Sequence, residues 1–280
     1  MEALPYCIEQ ATDSHPNARP MTSPQQCLAA GCAPVRARSA PPGLDQSNHH
    51  DTGGWMRIKE LLCALLAAAA LHASAQQAED TAPNLPEHYA QRVELFNSEA
   101  PGSGHIVFLG DSITEGGAWG ALLGDPSVIN RGISGDNSFG VLRRLDEVVR
   151  LKPAKLFLLI GVNDLSKNIA PSVVTENISA IVKAVKAASP ATRIYVQSLL
   201  PVDPGARDFM RQFDKGQDIL DINAHLRKDA QALDYTFVDL YAQFVDARAR
   251  LDPRFGRDGL HLNEAGYRHW VDYLKTTHCL

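Results

Sequence analysis

Short continuous apolar runs alternate with longer amphipathic segments along the chain from about residue 85 onward. Continuous apolar runs of this length are typical of strands that are buried on both faces of a sheet. Strands that alternate with helices form a parallel sheet with helices on both sides, so the pattern predicts an α/β fold with five parallel strands. The runs are HIVFLG at residues 105–110, SVIN at 127–130, KLFLLIG at 155–161, RIYVQSLLP at 193–201 and YTFVDL at 235–240.

The segments between the runs predict helices with one apolar face each. The first extends over residues 138–150, Pro171 opens the second, apolar positions within residues 219–233 mark a third, and Asn263 caps the last. About 200 residues in this arrangement suit a single domain, which we place at residues 76–280. The expected buried positions are Val141, Leu142, Leu145, Val148 and Val149; Val174, Ile178, Ile181, Val182 and Val185; Ile219, Ile222, Leu226 and Leu233; and Tyr267, Trp270, Val271 and Leu274.

The first 75 residues have a different character. Residues 56–75 combine a positively charged start, a short apolar stretch and the small residues Ala73, Ser74 and Ala75, which is the pattern of a cleaved secretory signal peptide too short to span a membrane. Residues 1–55 are rich in Pro, Ser and Ala and lack hydrophobic periodicity. We interpret them as an over-extended reading frame upstream of the true start at Met56. The alternative is a genuine disordered extension followed by an internal apolar helix. The sequence therefore predicts a secreted or periplasmic protein without a stable membrane anchor.

Charge and cysteine content exclude several classes of function. The chain has 280 residues, a formal net charge of -5 and no block rich in Lys or Arg, which argues against a nucleic-acid partner. None of the five cysteines has the spacing of a zinc finger or a redox motif, so neither a metal site nor a redox centre is predicted. Cleavage after Ala75 leaves Cys279 alone, without a partner for an intramolecular disulfide.

Four short stretches carry the residues that suit chemistry: GDSIT with Ser112, NRGISGD with Gly132, IGVND with Asn163, and DGLHLN with Asp258 and His261. The first three follow predicted strands, and ligands of parallel α/β sheets bind outside the carboxyl ends of the strands. A serine hydroxyl becomes a nucleophile when a base removes its proton. His261 can act as that base, and Asp258 lies three residues earlier, close enough to orient the imidazole.

An acyl-transfer intermediate also needs hydrogen-bond donors for its oxyanion. We assign these donors to the backbone N–H groups of Ser112 and Gly132 and to the side-chain amide of Asn163. Gly135 competes with Gly132 for this role, since either glycine can serve a tight loop. Ser112 does not stand in a G-x-S-x-G elbow, because Thr114 occupies the place of the second glycine.

Together the four stretches resemble the four sequence blocks of the SGNH, or GDSL, hydrolase family over residues 106–274. Within it, NRGISGD, IGVND and DGLHLNEAGY look most like the branch of platelet-activating-factor acetylhydrolase catalytic subunits and bacterial acyl-esterases. The resemblance implies a flavodoxin-like three-layer α/β/α sandwich with a five-stranded parallel sheet. It also implies ester hydrolysis through an acyl-serine, without cofactor or metal. It favours Gly132 over Gly135 and Asn163 over Asp164, and the chain departs from the family name at Ile113.

Further expectations concern the residues next to the blocks. Asp111 is expected to hydrogen-bond nearby backbone and Asp164 to be structural. Trp119 and Phe139 either line an acyl pocket or pack in the core. Residues 201–216 follow the fourth run without clear periodicity, which suggests a substrate-facing loop.

The sequence therefore predicts a secreted serine esterase for short-chain or acetyl esters, acting on a small-molecule substrate such as an acylated sugar or lipid. Alternatives are an acyltransferase that uses the same three residues, an acylhydrolase of the lysophospholipase or thioesterase type, and a non-catalytic binding domain. A homo-oligomer is compatible with the sequence.

Overall fold

The computed structural model describes residues 81–100, 102–207 and 213–280. This part contains a five-stranded sheet with β1 at Ile106–Gly110, β2 at Ile129–Gly132, β3 at Lys155–Leu159, β4 at Arg193–Gln197 and β5 at Thr236–Val238. The strands lie in the order β2-β1-β3-β4-β5, and every neighbouring pair is parallel. This is the flavodoxin-like order, in which the direction of travel reverses at β1 and β3. The predicted α/β fold with five parallel strands is confirmed.

Ten helices connect or flank these strands within the described residues. They are α1 at Pro86–Ser98, α2 at Ser112–Glu115, α3 at Trp119–Leu123, α4 at Ser138–Arg143, α5 at Leu145–Val149, α6 at Val162–Ser166, α7 at Pro171–Ala188, α8 at Gly216–Asp229, α9 at Tyr241–Phe244 and α10 at Glu264–Thr276.

The strand order distributes the helices over both faces of the sheet. The connection from β1 to β2 runs in the opposite direction to the three that follow, and parallel crossovers are right-handed, so it lies on the opposite face. The contacts between helices agree with this, since α7 packs against α4, α5 and α8, whereas α10 packs against α3. The result is a three-layer α/β/α arrangement.

A row of aromatic rings crosses one face of the sheet and fixes the central strands. Phe108 stacks on Trp119 at 3.9 Å and on Phe157 at 4.8 Å, and Phe157 stacks on Tyr195 at 4.6 Å between ring centroids. Burying one such ring stabilises a fold by roughly 1.5–3 kcal/mol. Trp119 is 1% exposed, so it belongs to the core and does not line an acyl pocket.

The register places the carboxyl ends of three strands at the same level. Gly110 at the end of β1 pairs with Gly132 of β2 and with Leu159 of β3. The residues that follow these strands, which include Ser112 and Asn163, are therefore presented at one edge of the sheet.

Several predicted boundaries were wrong. Strand β2 begins two residues later than predicted, and β3, β4 and β5 end before the apolar runs do, since residues such as Ile160 and Leu199 stay buried beyond the strand ends. The helix predicted over residues 138–150 is divided at Arg144, which has the non-helical angles φ -106 and ψ 11. The helices opened by Pro171 and capped by Asn263 are confirmed, with their predicted apolar faces buried.

Candidate active site

Ser112 is the first residue of α2, directly after the turn that leaves β1. Asp111 caps this helix, with its Oδ1 accepting the N–H of Ile113 at 2.9 Å, as expected from the sequence. A Cβ on Gly110 would lie 2.2 Å from the carbonyl oxygen of Leu159 and 2.3 Å from Thr114 Oγ1, so the turn requires glycine there. The Gly-Asp-Ser sequence thus builds a tight strand-to-helix turn that begins a helix at the serine.

A continuous series of hydrogen bonds links Ser112 to two residues near the carboxyl terminus. His261 Nε2 lies 2.9 Å from Ser112 Oγ, and His261 Nδ1 lies 2.9 Å from Asp258 Oδ2. The imidazole therefore lies between the hydroxyl and the carboxylate, with one ring nitrogen facing each. In this arrangement the imidazole can accept a proton from the hydroxyl while the carboxylate stabilises the imidazolium.

Local backbone geometry holds the Asp258 carboxylate. Its Oδ1 accepts the N–H groups of Leu260 at 3.1 Å and His261 at 2.8 Å. Partial burial raises the pKa of Asp258, but the backbone and side-chain hydrogen bonds from His261, the Leu260 N–H bond and the charge of His261 outweigh it and lower the pKa to about 2. Asp258 is therefore a carboxylate at neutral pH.

Gly259 allows a neighbouring loop to approach Asp258 and His261. It has a φ of +93, and a Cβ there would lie 2.5 Å from the carbonyl oxygen of Asp203. The Asp203 N–H donates to the Gly259 carbonyl at 2.8 Å. The described beginning of the predicted loop at residues 201–216 thus contacts the turn between Asp258 and His261, while residues 208–212 lie outside the described residues.

Asn163 lies on α6, directly after β3, and is 5% exposed. Its Nδ2 donates to the carbonyl oxygen of Asp136 at 2.8 Å, and its Oδ1 accepts from Asn84 Nδ2 at 3.3 Å. A carboxamide nitrogen has two N–H groups, so one remains for a ligand. The next residue, Asp164, is buried and accepts hydrogen bonds from the backbone and hydroxyl of Ser138, which gives it the structural role that was predicted.

The choice of Gly132 as an oxyanion donor is contradicted by the structure. The Gly132 N–H donates to Asn130 Oδ1 at 2.8 Å, so this donor is already engaged. A Cβ on Gly132 would lie 2.1 Å from the N atom of Glu115, which shows that this glycine permits β2 to approach α2. By contrast, Gly135 has a φ of +78, and its N–H has no acceptor among the described residues.

Glu115 joins three elements around the site that sequence reasoning did not connect. Its carboxylate accepts the N–H and the hydroxyl of Ser134, which lies between β2 and Gly135. It also lies 3.1 Å from His88 Nε2 and 3.3 Å from Arg92 Nε, both on α1. The motif TEG indicates only a helix end, and no local pattern links Glu115 to residues before β1. Likewise, no local sequence pattern links Asn84 to the site, because Asn84 lies before the first predicted strand.

The described residues contain neither a candidate metal site nor a candidate membrane span. Within residues 81–100, 102–207 and 213–280, no group of three or more His, Cys, Asp or Glu residues is arranged to hold a metal ion. No helix in this part of the chain is both long enough and apolar enough to cross a membrane.

Comparison with known proteins assigns the chain to a family. A model described as the GDSL-like Lipase/Acylhydrolase family matches residues 108–269, more than half of the chain. The chain belongs to this family. The match contains Ser112, Asn163, Asp258 and His261, whereas Asn84 lies before it. As a member of the GDSL-like family the chain is a carboxylic-ester hydrolase with small-molecule substrates.

Individual GDSL-like relatives are distant but cover most of the described domain. The chain is 28% identical over 168 residues to platelet-activating factor acetylhydrolase IB subunit alpha1 of Rattus norvegicus, covering 58% of this chain and 69% of that protein. It is 29% identical over 127 residues to an arylesterase of Vibrio mimicus, covering 40% of this chain and 63% of the arylesterase.

Solved structures agree with this assignment. A GDSL-like lipase from Bacteroides thetaiotaomicron has a TM-score of 0.60 and 27% identity, covering 69% of this chain and 98% of that chain. The acetyl xylan esterase AlAXEase has a TM-score of 0.52 and 21% identity, covering 62% and 98%, and shows the shared fold.

Proposed function

We propose that this GDSL-like hydrolase is a secreted or periplasmic serine esterase that cleaves short-chain, above all acetyl, carboxylic esters through an acyl intermediate on Ser112. The observation that carries the proposal is the continuous series from Ser112 Oγ through His261 to Asp258, with 2.9 Å at each step across the imidazole. A nucleophile, a base and an orienting carboxylate in this order are the parts that acyl transfer requires.

The proposed reaction has two halves. In the first, Ser112 Oγ attacks the ester carbonyl carbon while His261 Nε2 takes the hydroxyl proton, and the tetrahedral intermediate then expels the alcohol, which leaves with that proton. In the second, water attacks the acyl-serine, His261 accepts a proton from the water and returns it to Ser112 Oγ, and the carboxylic acid departs. Throughout, Asp258 keeps the proton of Nδ1 facing the carboxylate, so that Nε2 is free to accept.

The oxyanion of the tetrahedral intermediate needs preorganised donors. We assign these to the Ser112 N–H, the free N–H of Asn163 Nδ2 and the Gly135 N–H. Gly135 replaces Gly132 in this set because the Gly132 N–H is engaged with Asn130. The Asp136 carbonyl holds the Asn163 and Gly135 donors close together. It accepts a hydrogen bond from Asn163 Nδ2, and Asp136 directly follows Gly135 in the chain.

The substrate class rests on the relatives. Platelet-activating factor acetylhydrolase and the acetyl xylan esterase AlAXEase are both named for the hydrolysis of acetyl esters. The secreted location rests on the leader-like pattern of residues 56–75, which lie outside the described residues. The location is tested by mass spectrometry of the mature protein from its native host, which should begin at Gln76, and a mature chain that retains residues 1–55 contradicts it.

The activity is tested with a panel of p-nitrophenyl esters of increasing acyl length. We expect kcat/KM to be highest for acetate and butyrate and to fall with longer chains. Ser112→Ala should abolish turnover and labelling by a fluorophosphonate, because the attacking oxygen is removed. Ser103→Ala is the matched control, since Ser103 is exposed and precedes β1 at the opposite edge of the sheet.

Two results contradict the proposal. Folded Ser112→Ala with the turnover of the wild-type protein excludes Ser112 as the nucleophile. A preference for long acyl chains leaves the esterase assignment in place and excludes the short-chain specificity. Product analysis with an added alcohol acceptor shows whether water or the alcohol takes the acyl group.

A further inference from the structure

A short segment before α1 lies against the proposed oxyanion donors. This segment, residues 81–85, is called the N-terminal strap here. It lies outside the residues matched by the family model, which begin at residue 108. Its contacts therefore concern a part of the site that the four sequence blocks do not contain.

The strap is anchored on two segments that follow β2 and β3, the strands on either side of β1. The carbonyl oxygens of Thr81 and Ala82 accept from Asn137 Nδ2 at 3.1 and 3.0 Å. Lys167 Nζ, at the end of α6, donates to the Ala82 carbonyl at 2.7 Å. One anchor thus lies beside Asp136 and the other beside the helix that carries Asn163, so the strap bridges the two segments that supply Gly135 and Asn163.

Asn84 makes the contacts that matter for the chemistry. Its backbone N–H donates to the Gly135 carbonyl at 2.8 Å, and its Nδ2 donates to Asn163 Oδ1 at 3.3 Å. A Cβ on Gly135 would lie 3.0 Å from the Leu85 N atom and 3.2 Å from Asn84 Cβ, so the strap packs directly on this glycine. Asn84 therefore contacts two of the three proposed donor residues.

The Asn163 carboxamide is held from both ends. Its Nδ2 faces the Asp136 carbonyl and its Oδ1 faces the Asn84 amide. Turning this carboxamide by half a rotation would place oxygen against oxygen at Asp136 and N–H against N–H at Asn84. With both partners present, one orientation satisfies every group, and it leaves the second N–H of Nδ2 available to the substrate.

We propose that Asn84 is a positioning residue for ester hydrolysis, which fixes the Asn163 carboxamide with its free N–H directed at the oxyanion. The proposal rests on the serine esterase function proposed above. The free N–H of Asn163 binds the oxyanion more strongly in the transition state than it binds the substrate carbonyl. Loss of the contact between Asn84 and Asn163 therefore lowers kcat rather than raising KM.

The experiment measures kcat and KM on p-nitrophenyl acetate for Asn84→Ala, Asn84→Asp, Asn163→Ala and the double variant Asn84→Ala/Asn163→Ala. Asn84→Ala should lower kcat by about 3- to 10-fold with KM within about twofold, as expected for one neutral hydrogen bond. Asn84→Asp should lower kcat further, because a carboxylate facing Asn163 accepts hydrogen bonds and draws Nδ2 away from the site. Glu87→Ala is the control variant and should leave kcat unchanged, because the Glu87 side chain is exposed and lies three residues after Asn84.

The double variant separates positioning from a general structural effect. If Asn84 acts through Asn163, adding Asn84→Ala to Asn163→Ala should change kcat by less than about twofold. Equal losses in both backgrounds, wild-type kcat in Asn84→Ala, or a rise in KM alone would each overturn the inference. Absence of ester turnover and of fluorophosphonate labelling in the wild-type protein would instead refute the proposed function, and the role of Asn84 with it. Circular dichroism verifies that each variant is folded.

Discussion

The two oxygens of Asp258 contact different partners. Oδ1 accepts two backbone N–H groups and Oδ2 accepts from the imidazole of His261. The backbone bonds fix the position of the carboxyl group, and the bond to Nδ1 fixes the tautomer of the ring. Both effects depend on groups within three residues, so this part of the site is built locally.

The first prediction concerns Asp258→Asn. If the amide oxygen keeps the backbone bonds, the NH2 group faces Nδ1, which then has to accept, and the ring proton moves to Nε2 opposite Ser112 Oγ. We expect kcat to fall by about 10²–10³-fold with a small change in KM, since the oxyanion donors are untouched. The measurement is steady-state kinetics on a short-chain p-nitrophenyl ester, and an unimpaired kcat would remove Asp258 from the mechanism.

Asp111, next to the nucleophile, is a fully buried carboxyl group. Its Oδ2 has no hydrogen-bond partner among the described residues. Burial raises the pKa of Asp111 from 3.8 to about 7, a rise that the Ile113 N–H bond opposes and the Asp136 carboxylate supports. Between these pH values the folded protein holds a proton that the unfolded chain has lost. This group therefore makes stability fall as the pH rises from about 4 to 7, with no further loss above that range.

The second prediction is that Asp111→Asn removes this pH dependence. An amide keeps the Oδ1 acceptor for Ile113 and cannot ionise. Relative to the variant, the wild-type protein should lose on the order of 2–3 kcal/mol of unfolding free energy between pH 5 and pH 8. Urea denaturation of both proteins at the two pH values measures the difference, and parallel pH profiles would show that Asp111 is ionised in the folded state throughout.

Among the structural elements, the break between α4 and α5 is explained by a buried network of charges. Arg144 donates from Nε to Asp136 at 2.9 Å and from Nη1 to Glu147 at 3.0 Å. It also donates to the carbonyls of Gly110 and Arg131, at the ends of β1 and β2. The network ties the loop that contains Gly135 to the strand that precedes Ser112.

The third prediction follows from removing Arg144, which shares Glu147 with a second buried cation, Arg131. Arg144→Met leaves the buried carboxylates of Asp136 and Glu147 without that partner, and breaking such a pair costs about 3–5 kcal/mol of unfolding free energy. Arg144→Lys should also be destabilising, because a lysine lacks the planar fork that serves several acceptors. The neighbouring Arg143→Met is the control, since Arg143 is exposed, and urea denaturation gives all three values. Equal stability of the two Met variants would contradict this account.

At the scale of the whole molecule, the N-terminal strap is the first segment of the described chain that contacts the proposed site. A chain of residues 76–280 retains the strap, whereas a chain of residues 86–280 loses Asn84 and the carbonyls that anchor Asn137 and Lys167.

The fourth prediction is that the longer of these chains has the turnover of the full chain. The shorter one should have a kcat lower by about 10- to 100-fold, since displaced donors lose much of their effect. Kinetics on p-nitrophenyl acetate, with circular dichroism as the folding control, tests this, and equal turnover of the two truncated chains would contradict it.

The sequence was informative wherever the signal was local. Apolar runs located all five strands, and the four blocks contained Ser112, Asn163, Asp258 and His261, which the structure brings to one edge of the sheet. The division of the helix at Arg144 was missed because a buried cation leaves no trace in apolar periodicity. Gly132 and Gly135 occupy the same motif, and they are separated by features of the folded chain, above all the hydrogen bond from the Gly132 N–H to Asn130 and the positive φ of Gly135. The contact between Asn84 and Asn163 joins residues 79 positions apart, which no spacing within a block indicates.

The pairing of residues in the proposed site spans very different lengths of chain. His261 and Asp258 are 3 residues apart, whereas His261 and Ser112 are separated by 149. The acid and the base can meet as soon as one turn forms, but the base reaches the serine only after the segment before α10 has docked against the end of β1. During refolding from denaturant, recovered ester turnover therefore times the closure of the longest loop in the site, an event that backbone spectroscopy registers only indirectly.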